Sequence, residues 1–196
     1  MIKSSIYKKI ASKTGRKGWL PDNFSLTAGV EAPGKTDFEL LYESDIGEIS
    51  PRDFEQFIGL LAGACENPKD KDKKEREIIE FLTKNHILKL IDVLCEEIYN
   101  EDRNIDIIKL LDVAYGWAAG SDDVSLVKLG ISLMGMMNLD DREDCREVIV
   151  TLGKYEEFTF YSLYALEGLK DADVIASDYA KNLKGWGKTH AELWRE

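Results

Sequence analysis

The sequence predicts an all-α protein. Residues 51–196 read as a right-handed α-solenoid of stacked helical hairpins, and residues 1–50 as an irregular, basic N-terminal extension. Three observations lead there. Beyond residue 50 the apolar side chains recur at three- and four-residue spacing, the period of a helix. Strand-like alternation is nearly absent from the same region. Helix-start and helix-stop residues divide it into segments of ten to sixteen residues.

The elements follow in order. Pro21, Pro33 and Pro51 punctuate the first fifty residues, and Phe38–Tyr42 is a short apolar run that fits a strand or a short helix. Ser50-Pro51-Arg52-Asp53 is a helix start: a hydroxyl at the cap, proline at the first helical position and an acid in the first turn. Phe54, Phe57, Ile58 and Leu61 then share one face. Near 86–98, Ile87, Leu90, Ile91, Leu94 and Ile98 form a stripe, with Lys89, Asp92 and Glu96 opposite. Asn104 is expected to open the next helix, with Ile107, Leu110, Leu111 and Ala114 inward. After Gly120-Ser121, Val124, Val127, Ile131 and Met134 repeat the pattern. Asp140 with Glu143 reads as a capping box for a helix to about Leu152. Glu156 to Leu166 is apolar nearly all round, which places it between other helices. Asp171 begins a further helix that stops at Gly185.

Paired as hairpins, these helices start near residues 73, 104, 141 and 171, at steps of 31, 37 and 30 residues. Near-regular steps of that length are the mark of helical repeats. Each hairpin has more apolar surface than it can hide alone, and stacking removes that surface from water at about 25 cal/mol per Å². The second helices of the hairpins then line a concave face suited to a partner.

Charge narrows the function. The 196 residues carry 26 Lys and Arg against 37 Asp and Glu, a net charge of −11. Lys3, Lys8, Lys9, Lys13, Arg16 and Lys17 give the first twenty residues a charge of +6, leaving −17 on the remainder. A body of that sign repels a phosphate backbone and attracts basic proteins or peptides. No stretch approaches the roughly 20 apolar residues of a membrane span, and no apolar run follows the N-terminal lysines as a signal peptide requires. Cys65, Cys95 and Cys145 form no CxxC pair, and an odd, widely spaced set suits reduced thiols in a cytoplasmic protein.

Residues with chemical potential are few. Gly29 to Thr36 (GVEAPGKT) matches the phosphate-loop pattern, in which Gly34, Lys35 and Thr36 would hold the outer phosphates and Mg²⁺. That makes a nucleotide-binding protein the alternative reading. Chance alone gives such a match in roughly one chain of this composition in a hundred. The preceding Asp22–Ala28 is polar and short where a buried strand is required, and helix after helix follows. His86 and His190 lie far apart with no metal-ligand spacing, so no metal, cofactor or catalytic set is expected. Phe158, Phe160, Tyr161 and Tyr164 read first as inter-helix core, while Tyr115, Trp117, Tyr161 and Tyr164 are the candidates for the concave face. If these candidates open onto that face, they make an aromatic, acid-rimmed groove for a basic segment. Gly116, inside a helix, suggests a close helix–helix approach. Trp186 and Trp194 stand on a last helix with no later unit to cover it, which marks a homodimer contact or a repeat array that continues beyond this chain.

The stretch Arg142 to Leu166, where a helix ends in Leu152-Gly153-Lys154-Tyr155-Glu156-Glu157-Phe158 and turns directly into an apolar helix, resembles HEAT and armadillo-type repeats. The ending Leu183-Lys184-Gly185-Trp186-Gly187-Lys188-Thr189-His190 is similar to stretches in bacterial proteins of that superfamily. The resemblance covers about residues 53–196. It implies the solenoid fold and a protein-binding role, and it implies no enzymatic activity.

Overall fold

The structure is a computed structural model that describes residues 4–14, 18–26, 32–66, 70–103 and 105–194. Gly29, Val30, Glu31 and Asn104, singled out above, lie outside the described residues. Among the described residues there is no strand. The α-helices are α1 (Ile6–Lys13), α2 (Lys35–Phe38), α3 (Pro51–Glu66), α4 (Lys71–Lys84), α5 (Ile91–Glu97), α6 (Ile107–Gly120), α7 (Val124–Gly135), α8 (Glu143–Leu152), α9 (Thr159–Leu166), α10 (Ala172–Asn182) and α11 (Gly185–Leu193). None of them is long and apolar enough to cross a membrane.

Local chemistry explains most of the boundaries. Ser50 Oγ accepts the Asp53 amide at 3.1 Å and donates to its carboxylate at 2.7 Å, so α3 starts where expected. Asp106 caps α6, accepting the amides of Ile108 and Lys109. The Asp140–Glu143 capping box does not form. Arg142 stands at the cap of α8, and its guanidinium clamps Asp144 in the first turn. The helix expected near 86–98 is broken: a 3₁₀ turn, Ile87–Lys89, precedes α5. Phe38–Tyr42 is helical, α2 running straight into the π-type turn Glu39–Glu43.

The helices pack in pairs, and only the first pair departs from the register that the sequence suggests. α4 lies against α3 and not against the segment at 87–98, and the other pairs are α6 with α7, α8 with α9 and α10 with α11. Helices of successive pairs also touch: α3 meets α6, which meets α8, and α4 meets α7, which meets α9, which meets α11. α9 is thus enclosed by α7, α8 and α11, as its all-round apolar surface requires. The extension joins in. α1 crosses α6 and α8 and buries Ile6 and Ile10 completely in the main core. At about 1.5–3 kcal/mol for each fully buried side chain, those two residues anchor the arm against its own basic exterior.

Two glycines inside helices play opposite parts. A Cβ on Gly130 would sit 2.6 Å from the Ala114 carbonyl oxygen and 2.8 Å from the Ala118 amide, so the close approach of α7 to α6 is made here. Gly116 has no such neighbour: the nearest atom to its Cβ would be the Lys71 ammonium at 3.9 Å. It faces a hollow of about 330 Å³ beside Cys65, Val113 and Trp117, not another helix. Gly116→Ala should therefore raise unfolding free energy by about 0.5–1 kcal/mol through helix propensity alone. Gly130→Ala should lower it by about 1–3 kcal/mol through overpacking. Urea unfolding of both variants checks the pair of signs.

Candidate functional site

The most constructed part of the molecule is where residues 32–43 lie across the helices. Gly34 opens α2 with φ +78, a conformation natural to glycine, and a Cβ there would meet the Glu156 carbonyl oxygen at 2.6 Å. This close approach lets the Gly34 amide donate to Glu157 Oε2 at 2.8 Å. One helical turn later the chain drives Asp37 inward until 1% of it is exposed. Its carboxylate accepts from Lys128 Nζ of α7 at 2.8 Å and from the Tyr161 hydroxyl of α9 at 2.8 Å. His86 Nε2, from the turn after α4, stands 3.3 Å away. The His86 ring accepts the Leu88 amide at Nδ1, which leaves the proton on Nε2, facing Asp37. Lys128 also reaches Glu157 Oε1 at 2.5 Å.

The electrostatics follow from this geometry. Burial alone would raise the Asp37 carboxyl, but the His86 hydrogen bond, the Lys128 charge and the bonds from Lys128 and Tyr161 hold it down at about 2. Burial works against the Lys128 ammonium too, and the Asp37 and Glu157 charges overcome it, so that group is raised. Tyr161 is driven well above its ordinary value by burial and by the adjacent Asp37 charge. The cluster is thus a fixed ionic clasp, with one buried cation between two carboxylates and a phenol that stays protonated.

A second face of residues 32–43 meets α11. Phe38 packs at a tilt on Trp186 at 4.7 Å and edge-on against the His190 ring at 5.6 Å, and Tyr42 reaches the same imidazole at 6.2 Å. Glu156 accepts the Trp186 amide at 3.1 Å and caps α11. Burial raises its carboxyl against that bond.

The residues chosen from sequence fall partly in the core and partly at the surface. Tyr161 belongs to the clasp and is fully buried. Trp117 is 1% exposed, its indole N–H donating to Glu75 at 3.0 Å. Tyr164 and Tyr115 are half-buried, the latter under the Arg142 guanidinium. The four do not form one open aromatic wall. Trp186 is packed on Phe38 and Trp194 on Phe160, both within the chain. Gly34 is buried with its amide already given to Glu157, Lys35 pairs with Glu39 at 3.2 Å, and Thr36 is exposed. No strand lies beneath this turn among the described residues, so the loop that reads as a phosphate cradle holds a carboxylate of its own chain.

Elsewhere the chemistry is sparse. Burial pushes the thiols of Cys65 and Cys145 up to about 11, away from nucleophilic use. Among the described residues no group of three or more His, Cys, Asp or Glu side chains is arranged to hold a metal ion.

The surface offers a larger feature beside the clasp. A groove of about 590 Å³ runs between the extended segment that continues from residues 32–43 and the segment that follows His86. Ile46, Ile49, Phe54, Leu88 and Val93 supply its apolar floor. Its rim carries Asp45, Glu48, Glu55, Asp92 and Glu97 against Lys89 and Arg103. Arg103 ties Glu55 to Glu97 at one end, with contacts of 2.7 and 2.5 Å. Nothing in the periodicity of the sequence brings residues 45–55 and 88–103 together; the Arg103 bridges and the Asp37–His86 contact link them. Comparison with family models, with curated proteins and with solved structures found no match.

Removing the buried cation should be severe. Lys128→Met leaves Asp37 and Glu157 facing each other without a counter-charge and should cost about 3–5 kcal/mol of stability, measured by urea unfolding at neutral pH. The acid limb is equally specific. Asp37 is depressed from 3.8 to about 2, so its contribution is complete above pH 3.8 and is lost as pH falls toward 2. That loss amounts to about 2 kcal/mol, and Asp37→Asn should flatten this part of the stability–pH curve.

Proposed function

We propose that this chain is a cytoplasmic protein-interaction module, a HEAT- or armadillo-like right-handed solenoid without enzymatic activity, that takes a basic, amphipathic segment of a partner protein. The solenoid reading is supported by the pairwise packing and by the two series of helix contacts, α3–α6–α8 and α4–α7–α9–α11. Repeat proteins bury their core in this way, unit against unit. The second-helix face, expected to receive the partner, is covered at α7, α9 and α11 by residues 32–43. The partner site therefore moves to the groove that those residues lead into.

The observation that carries the reading is the groove's composition. An apolar floor with five carboxylates and two cations on the rim matches a segment with alkyl or aromatic side chains on one face and Lys or Arg on the other. The −11 charge of the chain steers the same class of partner from a distance. A phosphate backbone finds the wrong sign here.

The test uses a labelled amphipathic Lys/Arg-rich helical peptide and a control with Glu at the same positions. Anisotropy titration should show binding of the basic peptide alone, weakening as salt rises. Glu48→Lys with Asp92→Lys should reduce its affinity about tenfold or more, a loss of about 1.4 kcal/mol. Glu143→Lys, outside the groove, should leave it within a factor of about two. No binding at low salt, or binding indifferent to the double reversal, rejects the groove as the site.

A further inference from the structure

The chain has two histidines, and both touch residues 32–43. His86 stands on Asp37 at one edge. His190 lies beneath the other edge, 1% exposed and ringed by Phe38, Tyr42 and Phe160 at 5.6, 6.2 and 5.7 Å. Gly34, Phe38 and Tyr42 recur at helical spacing and all reach this one imidazole. Nε2 of His190 is 3.4 Å from the Gly34 carbonyl oxygen, while Nδ1 is buried and has no hydrogen-bond partner among the described residues. The seat therefore fits a neutral ring and offers an imidazolium one acceptor for two donors.

We propose that residues 32–43 form an acid-released strap, with His190 as the trigger: a proton taken up at Nδ1 expels the ring from its aromatic seat, lifts the Gly34–Phe38–Tyr42 face off α11 and loosens the wall of the acidic groove at residues 45–49. Strap release stands on its own geometry; its effect on the groove rests on the function proposed above.

The surrounding charges leave this outcome intact. Asp37, from the strap, favours the imidazolium; Lys128, from α7, disfavours it. On the η5–α9 side, Glu157 is engaged by Lys128 and by the Gly34 amide, and Glu156 by the Trp186 amide. Tyr42 brings a phenol that burial raises above its ordinary value. Burial is the largest influence on His190 and depresses it, against the Gly34 carbonyl and Asp37. The seat is thus at full strength above about pH 6.5 and weakens as pH falls below that value. At the opposite edge, Asp37 is held by His86, Lys128 and Tyr161 together. Asp37 is accordingly the pivot, and the α11 side is the edge that lifts.

Hydrogen exchange followed by mass spectrometry at pH 7.5 and pH 5, corrected for intrinsic rates, tests the strap without any partner. Protection of residues 32–43 and 45–49 should fall about tenfold or more at pH 5 relative to α6 and α7, about 1.4 kcal/mol of local opening. His190→Gln should abolish the difference. Should that variant fail to fold, the imidazole resonances of the wild type, assigned with His86→Gln, serve instead: His190 should titrate together with the loss of protection. Protection of 32–43 unchanged between the two pH values overturns the strap. The basic peptide titrated at both pH values keeps the two readings apart. Strap release with no peptide binding at either pH overturns the groove and leaves the strap in place.

Discussion

A lysine in the middle of a buried helix has to find negative charge or lose its own. Lys128 finds two carboxylates, Asp37 from the N-terminal segment and Glu157 from the turn before α9, and the rest of the arrangement follows from satisfying that cation. Because its partners come from segments far apart in sequence, the ion pair is also a topological instruction: residues 32–43 must cross α7 and α9. Tyr161 and His86 complete the coordination of Asp37, so neither the acid nor the base is left with an unmet buried group. An apolar substitute for the whole cluster could be as stable; what the ionic version supplies is a single register for the strap.

That register has consequences at the surface. His86 belongs to the clasp through Nε2 and to the groove through Nδ1, which caps the turn carrying Leu88 and Lys89. Asp37 belongs to the same clasp, and the chain that leaves it becomes the opposite groove wall at 45–49. The 3.3 Å contact between half-buried His86 and buried Asp37, together with the Arg103 bridges, thus fixes the separation of two exposed walls. The function proposed above needs that separation to be fixed, because an apolar floor selects a partner only if the rim holds its width.

Much of the fold was legible because helices announce themselves locally. Phe54, Phe57, Ile58 and Leu61 turn inward as their spacing requires, and Ser50 caps as its position requires. Pairing was less legible, since α4 has a stripe that fits either neighbour, and only the three-dimensional packing chooses α3. Gly116 and Gly130 look alike in sequence; one faces a hollow and the other a backbone. The clasp was the least visible. Asp37 follows Gly34-Lys35-Thr36, whose resemblance to a phosphate loop directs attention away from the acid beside it. One signal was present: Lys128 is the sole charge between Val124 and Met137, a run whose other polar side chains are only Ser125 and Ser132, and a charge so placed must have a buried partner. The identity of that partner depends on a contact 91 positions away, which no local pattern encodes.

Coupling between Asp37 and Lys128 can be measured by a double-mutant cycle in urea, comparing Asp37→Asn, Lys128→Met and the combined variant at pH 7. Joint removal should be far less damaging than the separate losses add up to, with a coupling energy of about 2 kcal/mol or more. Additivity within about 0.5 kcal/mol would mean that the two groups do not depend on each other, and the ionic clasp would not be what holds residues 32–43 in place.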